Sequence, residues 1–399
     1  MKKILFSAGF IAILCLCFTS NSFAIEADGW ASMSDGNVPY STTGGQGGTV
    51  VDVNNYTDLY YYAYTVGTAK YIIQISGTID IGEDFEVRSN KTLIGVGDSP
   101  TLSGILGFRN RDGNIIIENL NITNPCTSST CDGISLKQEI NNVLVTKCTI
   151  YDTGDGAFDI SNESDYITVS WCKFYYNNPA PVEDHRFACL VGSSDKQTDD
   201  MDDLHVTYHH NWWASRVKER MPRVRYGHVH VYNNYYSDLE TGGYCIGVGC
   251  GSYIRVESNY FNAVYTPWKD YYTDYPTYAV GHIGWNTGNI YYNCTEPTWA
   301  TNEYSTIFTP PYDYTLDDTN DVPDEVMAYA GAGTPYPPHW FYTVYGDFDQ
   351  DDAVEMDDFA TFADYWLNTD CDAITDADYD SDCNVNFYEF SLMGGNWMK

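Results

Sequence analysis

A short strand pattern recurs along the middle of the chain and constrains its fold more than any other feature. Each copy pairs an apolar anchor with a residue five places further on, and successive anchors lie roughly 23 to 28 residues apart with one longer interval. This period is typical of solenoid repeats, so it predicts stacked coils of short strands separated by turns. The copies are Ile115 with Leu120, Val143 with Cys148, Ile167 with Cys172, Val206 with Asn211, Val229 with Asn234 and Ile254 with Asn259.

Equivalent positions of stacked coils lie about 4.8 Å apart, so like side chains form ladders. The repeat therefore predicts an internal ladder of Asn211, Asn234 and Asn259. Cys148 and Cys172 would occupy the same column, where stacked side chains seldom have the torsion angle of a disulfide, although a bond stays open. Two closer pairs are typical of local disulfides, with buried free thiols as the alternative; they are Cys126 with Cys131 and Cys245 with Cys250.

The first residues have the order of a secretory signal. Lys2 and Lys3 precede the apolar run Ile4–Phe18, and Ala24 ends a small-residue cleavage site. The run is shorter than the ~20 residues of a membrane span, which makes an anchor the lesser alternative. We therefore expect residues 1–24 to be a signal peptide, and the mature protein to be extracellular, monomeric and without a membrane span.

The net charge of −35 excludes a general attraction to nucleic acid or to anionic membranes, because both would be repelled. A polyanionic substrate would need local cations, either arginine or bound metal. One segment supplies them, since Arg216, Arg220, Arg223 and Arg225 lie close together before Val229. Clustered arginines predict an anion site, with surface ion pairs as the alternative.

This arginine segment, together with Thr207-Tyr208-His209-His210-Asn211, resembles the signature of the pectate lyases of polysaccharide lyase family 1. The resemblance covers most of residues 44–333 and implies an all-β fold, a right-handed parallel β-helix spanning residues 25–333. Further blocks match in family order: Gly44-Gly45-Gln46-Gly47-Gly48, Ser89-Asn90-Lys91-Thr92-Leu93-Ile94-Gly95, Asp132-Gly133-Ile134, Asp155-Gly156-Ala157-Phe158-Asp159 and Leu190-Val191-Gly192-Ser193-Ser194-Asp195.

An acidic cluster accompanies the arginines. Asp155 and Asp159 lie four residues apart, and with Asp132 from the preceding coil they can converge on one hard cation, with ordinary turn aspartates as the alternative. The resemblance implies that these three residues hold calcium and that uronate carboxylates complete its shell. It also implies that Arg220 is the base that removes the C5 proton and that Arg225 binds substrate and stabilises charge. Arg186, Arg223 and His210 are the further substrate-binding candidates.

The chain departs from the family pattern at three places. Leu144-Val145-Thr146-Lys147 replaces a Trp-x-Asp-His run. Phe187 stands where a substrate-binding lysine is usual, and Arg186 would substitute only after a one-residue shift, which normally turns a side chain to the opposite face. Thr130 stands at the first ligand of an Asp-x-Asp pair. These departures affect substrate preference more than the reaction.

After a proline-rich linker at residues 334–345, residues 346–399 resemble a dockerin-type module with two EF-hand-type calcium loops. Such a module would tether the protein to a scaffold or cell-surface partner; a purely structural loop pair is the alternative. Acidic residues occupy loop positions 1, 3, 5 and 12 in both copies. They are Asp347, Asp349, Asp351 and Asp358, then Asp378, Asp380, Asp382 and Glu389.

The sequence thus predicts a secreted, calcium-dependent pectate lyase that cleaves low-methylated homogalacturonan by β-elimination. A catalytically silent galacturonan-binding β-helix is one alternative. A galacturonan hydrolase would need paired carboxylates without the arginines. A pectin lyase acting on methyl esters would dispense with metal, which the three aspartates argue against.

Overall fold

The computed structural model describes residues 26–34, 41–109, 111–128, 130–271, 279–294, 307–337 and 362–363. Ala24–Tyr342 forms one compact unit, and its strands stack as a parallel β-helix. The predicted signal peptide and the predicted calcium-loop residues of the C-terminal module lie outside the described residues and stay predictions.

One face of the β-helix is a ten-stranded parallel sheet. Each coil contributes one strand to it, so neighbours in the sheet come from successive turns of the chain. In sheet order the strands are β1 (Thr49–Val53), β2 (Tyr71–Ile75), β4 (Lys91–Gly95), β6 (Gly113–Glu118), β9 (Asn141–Thr146), β12 (Asp165–Ser170), β15 (His205–His209), β18 (His228–Tyr232), β21 (Tyr253–Glu257) and β24 (His282–Thr287).

The remaining strands form two more faces that meet at β5, Thr101–Phe108. β3 (Thr78–Glu86) pairs with both halves of β5, whose first half also pairs with β7 and whose second half also pairs with β8. On the β7 side lie β7 (Asn121–Asn124), β10 (Thr149–Thr153), β13 (Lys173–Tyr175), β16 (Trp212–Trp213), β19 (Tyr235–Tyr236), β22 (Tyr260–Asn262) and β25 (Ile290–Tyr292). On the β8 side lie β8 (Ile134–Leu136), β11 (Gly156–Ile160), β14 (Phe187–Val191), β17 (Arg223–Val224), β20 (Ile246–Val248) and β23 (Trp268–Asp270).

Helices are few. α1 (Tyr56–Tyr60) begins at Asn55, whose side chain accepts a hydrogen bond from the Asp58 amide, and it continues into a π-helical turn. α2 (Val322–Tyr329) starts with a proline in its first turn, where the missing N–H costs nothing. No helix in the described ranges is long and apolar enough to cross a membrane.

The predicted repeat is confirmed at the level of register. Ile115 pairs with Val143, Val143 with Ile167, and Ile167 with Val206, and the column continues through Val229 to Ile254. All six anchors are fully buried. The longer interval before Val206 is absorbed by two loops, residues 176–186 and residues 192–204, so the stack is not interrupted.

The predicted asparagine ladder is also confirmed. Asn234 donates its side-chain amide to the carbonyls of Tyr208 and Tyr232 and to Asn259 Oδ1, while its own Oδ1 accepts from Asn211. Asn289 adds a further rung, because its Oδ1 accepts from both the backbone N–H and the side chain of Asn259. The ladder thus provides hydrogen-bond partners for buried backbone groups of the turns, which neighbouring strands do not reach.

The cysteines follow the predictions in part. Cys126 and Cys131 form a disulfide. Cys148 and Cys172 are stacked as expected and are buried free thiols. The pair Cys245 and Cys250 was predicted wrongly, because both are free thiols. Cys245 packs into the core, whereas the Cys250 thiol lies 3.5 Å from Asp195 Oδ1.

Replacing Asn234 by alanine should lower the free energy of unfolding by about 2–4 kcal/mol, because it leaves several buried backbone groups without a partner. Urea unfolding followed by circular dichroism measures the change. Asn54→Ala, at an exposed position, is the control and should stay within about 0.5 kcal/mol of the parent. Equal destabilisation by the two variants would contradict a structural role for the ladder.

Candidate functional site

One row of outward-facing side chains crosses the face that ends in β23. Side chains of a strand alternate between the core and the exterior, and in-register neighbours lie about 4.8 Å apart. The row holds one acidic residue, Asp159, near its first end and two cations, Arg223 and Lys269, towards its other end. It consists of Ser135, Asp159, Leu190, Arg223, Gly247 and Lys269.

The three predicted calcium ligands lie together at the acidic end of this row. Asp132 precedes β8, Asp155 precedes β11, and Asp159 lies within β11. Burial raises the pKa of Asp132 to about 6, and the charge of Asp155 adds to the rise. Burial also raises the pKa of Asp159 well above its usual value, and Asp132 reinforces this. Buried carboxylates whose negative charges repel one another form a candidate site for a cation.

The local geometry fits a hard cation. Asp159 Oδ1 is buried and has no hydrogen-bond partner. A Cβ atom on Gly156 would lie 2.2 Å from that oxygen, so glycine leaves room for the carboxylate. Carboxylate oxygens on neighbouring coils suit calcium, which takes flexible oxygen ligands. The oxygens of the three aspartates do not all lie within 4.8 Å of one another, so these side chains would have to move closer together to hold one ion.

The expected first ligand position contributes no carboxylate. Thr130 is exposed, and its hydroxyl lies 3.0 Å from Ser128 Oγ. Thr130 follows the Cys126 end of the disulfide loop and precedes Cys131 and Asp132. The acidic cluster therefore rests on residues 132, 155 and 159.

Arg220 is the arginine that borders the acidic cluster. Its backbone has φ +66, an unusual conformation for a residue with a side chain, and its carbonyl accepts a hydrogen bond from the Cys189 amide. The guanidinium carbon lies 4.0 Å from the centre of the Phe187 ring, and Nη1 lies 3.8 Å from Asp155 Oδ1. The structure thus brings the predicted base and the predicted calcium ligands together.

The other two arginines of the segment have different surroundings. Arg225 is held firmly, because Nε donates to Asp195 Oδ1 at 2.6 Å and Nη1 donates to the Gly192 carbonyl at 2.8 Å. Burial and the neighbouring Arg223 lower the pKa of Arg225. Arg223 instead stacks on Tyr271 at 4.1 Å. In the described part of the chain, neither Arg223 nor Lys269 has a carboxylate partner, so both remain available to an anion.

Arg186 is buried and engaged elsewhere. Its guanidinium forms ion pairs with Glu183 and with Glu240, the second at 3.3 Å. Arg216 approaches the same two carboxylates. The neighbouring Phe187 places its ring beneath Arg220, so the two residues occupy different sides of the strand. The structure does not bring Arg186 to the outward-facing row.

His210 also lies apart from the arginines. Its ring is buried, stacks on Trp171 at 4.2 Å and contacts Asp317 Oδ2 through Nε2 at 2.5 Å. It follows β15 in the ten-stranded sheet, whereas Arg220 precedes β17 on another face. Its described neighbours do not include the residues around Arg220.

Two site residues were missed in the sequence. His185 Nδ1 lies 3.6 Å from Asp155 Oδ1, and Lys137 Nζ lies 3.8 Å from Asp132 Oδ2. Both are isolated basic residues beside strands, with no motif around them. The charged run that ends at Arg186 was the available signal for His185.

Comparisons with known proteins agree with this geometry. A family model described as pectate lyase matches residues 2–335. A pectate trisaccharide-lyase of Thermotoga sp. strain RQ2 is 34% identical over 334 residues, which cover 76% of this chain and 88% of the relative. Pectate lyase A of Aspergillus niger is 32% identical over 314 residues, covering 76% and 87%. The solved pectate lyase Bsp165PelA of Bacillus sp. N165, in complex with trigalacturonate, is 26% identical with a TM-score of 0.62, covering 77% and 99%.

The raised pKa of Asp132 predicts a pH-dependent stability in the absence of metal. The folded value of about 6 exceeds the unfolded value of about 3.9, so the folded state binds more protons between them. Stability contributed by protonated Asp132 is therefore present at about pH 4 and lost as pH rises through about 6. Relative to Asp132→Asn, the wild type should lose about 2–3 kcal/mol over this range.

Urea unfolding with a chelator present, at a series of pH values, measures this difference. Asp98→Asn, at an exposed turn, is the matched control and should follow the wild type at every pH. Parallel curves for the wild type and the Asp132 variant would show that the carboxyl is not perturbed.

Proposed function

Because the chain belongs to the pectate lyase family, we propose that it cleaves low-methylated homogalacturonan by calcium-dependent β-elimination, releasing unsaturated oligogalacturonides. The observation that carries this proposal is the position of Arg220, 3.8 Å from Asp155 beside the Asp132 and Asp159 carboxylates. A cation next to an acidic cluster, on the exposed face of a β-helix, suits a substrate whose own carboxylates need neutralising.

The calcium site we propose consists of Asp132, Asp155 and Asp159. When bound there, calcium would neutralise a uronate carboxylate and so make the adjacent C5 proton more acidic. The three side chains come from two successive coils, so stacking fixes their spacing. Arg220 contributes to the same electrostatic balance, because its charge lowers the pKa values of Asp132 and Asp159.

Arg220 is proposed to accept the C5 proton as a neutral guanidine, after releasing one guanidinium proton to solvent, a release that calcium bound beside it would favour. The electron pair of the C5–H bond then forms the C4=C5 double bond, the bond from C4 to the glycosidic oxygen breaks, and that oxygen takes a proton from water. The Phe187 ring and the positive φ of Arg220 hold the guanidinium in one place. A base must stay within hydrogen-bonding reach of the proton that it removes, which such support favours.

Arg223 and Arg225 would serve the substrate in different ways. Arg225 is fixed by Asp195 and by the Gly192 carbonyl, so it presents a positive charge of constant position. Arg223 lies one rung beyond Leu190 in the outward-facing row and binds no carboxylate among the described residues. We propose that it pairs with a uronate carboxylate further along the polymer. Arg186 and His210 keep a structural role in this proposal.

Secretion is proposed on two grounds. The Cys126–Cys131 disulfide supports an oxidising compartment, in which such bonds persist. A polymeric plant cell-wall substrate is also met outside the cell. Detection of the processed protein in culture medium tests this part separately from the chemistry.

Arg220→Lys should lower kcat on polygalacturonate by about 10²–10⁴-fold, because the proton acceptor is displaced. The assay follows ultraviolet absorbance of the unsaturated product with calcium present. Arg111→Lys, a surface arginine paired with Glu139, is the control and should keep the parent rate. Full activity of the Arg220 variant would show that another group is the base.

The same assay separates the alternatives. Reducing ends that appear without ultraviolet absorbance would identify a hydrolase, and binding without either product would identify a galacturonan-binding protein. Activity that survives a calcium chelator on methylated pectin would identify a pectin lyase. Each outcome would replace the proposed reaction.

Asp159→Asn should raise the calcium concentration for half-maximal activity by about tenfold or more, because it removes one of three charged ligands. Asp184→Asn is the matched control, since that carboxylate is 94% exposed and lies 3.8 Å from Lys218 Nζ. Activity is measured across calcium concentrations for both. The same calcium requirement in the two variants would exclude Asp159 as a ligand.

A further inference from the structure

A histidine pair is buried where the corner after β15 meets the segment before α2. His210 Nε2 lies 2.5 Å from Asp317 Oδ2, and His210 Nδ1 lies 2.8 Å from His209 Nδ1. His209 Nε2 in turn lies 2.8 Å from Asp28 Oδ2. The four groups form a chain of carboxylate, imidazole, imidazole and carboxylate that joins the N-terminal and C-terminal segments through the β-helix.

Two of these three contacts are hydrogen bonds, His210 with Asp317 and His210 with His209. His209 Nε2 is buried and makes no hydrogen bond, so its approach to Asp28 is an ion-pair contact only. Two neutral imidazoles supply one ring proton each, which suffices for the two hydrogen bonds.

A shortage of protons lies at the Asp317 end of the chain. Asp317 also shares a side-chain hydrogen bond with Glu325, and two ionised carboxylates have no proton for it. One ligand atom each from His210, Asp317 and Glu325 lie within 4.8 Å of one another. The shortage is thus located at a single cluster of one imidazole nitrogen and two carboxylate groups.

We propose that His210, Asp317 and Glu325 bind a divalent transition-metal ion of the zinc class. With the ion on His210 Nε2, the Nδ1–H of His210 donates to His209 Nδ1, and the remaining ring proton of His209 faces Asp28 at ion-pair distance. Both imidazoles are then neutral, and all three carboxylates are ionised. A ligating histidine whose other ring N–H is hydrogen-bonded is the usual arrangement at protein metal sites.

The donor set distinguishes this ion from the calcium proposed above. Imidazole nitrogen with carboxylate oxygen suits zinc and its neighbours, whereas calcium takes oxygen ligands. Trp171 stacks on the His210 ring and fixes its direction. Asn233 is fully buried, its Oδ1 has no partner, and its Nδ2 lies 3.3 Å from His210 Nε2. A further polar side chain thus borders the cluster.

The role that follows is structural. Asp317 and Glu325 belong to the C-terminal segment, and His210 belongs to the β-helix. Val322 and Val326 of α2 already pack with Tyr235 on the flank. An ion at the cluster would fasten α2 to that flank, away from the acidic cluster of the lyase site.

The test uses the full-length protein, stripped of metal and then held in saturating calcium. Zinc is titrated by calorimetry, and cobalt(II) is substituted so that its visible absorption reports the ligand set. We expect the wild type to bind one equivalent of zinc more than Asp317→Asn, and to gain thermal stability on zinc addition that the variant does not gain. Asp313→Asn, an exposed acid of the same segment, is the matched control and should bind as the wild type does.

Glu325→Gln is the second variant, and circular dichroism establishes that each variant is folded. Loss of the cobalt absorption in Glu325→Gln supports the site even where Asp317→Asn fails to fold. Equal zinc binding by the wild type and both folded variants would overturn the proposal and leave the cluster as a proton-sharing network. Neither result bears on β-elimination, which the ultraviolet assay measures in calcium alone.

Discussion

In-register stacking of parallel coils is the constraint on which the rest of the structure depends. Each strand finds its hydrogen-bond partners in the coils before and after it, so no coil is stable by itself. The asparagine ladder extends this dependence to the turns, because Asn234 bonds to backbone of the preceding coil and to Asn259 of the next. Fixed register in turn fixes side chains. Asp132, Asp155 and Arg220 are distant in sequence yet lie close together because their coils stack in register, with one coil, that of β14, between those of Asp155 and Arg220.

Register is also the property that the sequence revealed best. Each coil contributes one apolar anchor, so the anchors recur at a regular spacing in the sequence. The column from Ile115 to Ile254 was therefore predictable. Asn289 was missed because a longer interval separates it from Asn259 and hides the period. The partner of His210 was beyond reach for another reason: Asp317 lies 107 residues further along the chain, in a segment without the repeat. The family resemblance of its motif implied that His210 binds substrate, whereas in the structure His210 contacts Asp317 in the segment before α2.

Charge explains how an acidic protein can hold an acidic polymer. Most described arginines are tied to carboxylates, as Arg186 is to Glu183 and Glu240. Arg223 and Lys269 instead stack on the Tyr271 ring. The ring holds each cation in place but does not neutralise its charge. The acidic cluster works in the same direction, because burial and mutual repulsion raise the pKa values of Asp132 and Asp159 and a bound cation would offset both costs of ionising them. A net charge of −35 and a polyanionic substrate are therefore compatible at this one face.

Lys147 shows that a departure from a family motif can have a purely structural cause. Its buried ammonium donates to the carbonyls of Tyr329 and Pro335 and to Thr334 Oγ1, so it fastens the chain just beyond α2. Burial lowers its pKa to about 7, and the nearby Glu118 has a pKa raised to about 7 by its own burial. Glu118 accepts a hydrogen bond from Tyr336. The segment that carries Asp317 and Glu325 is thus anchored at its far end by the Lys147 ammonium. Lys147 and Glu118, two polar residues of the repeat, hold this end against the β-helix.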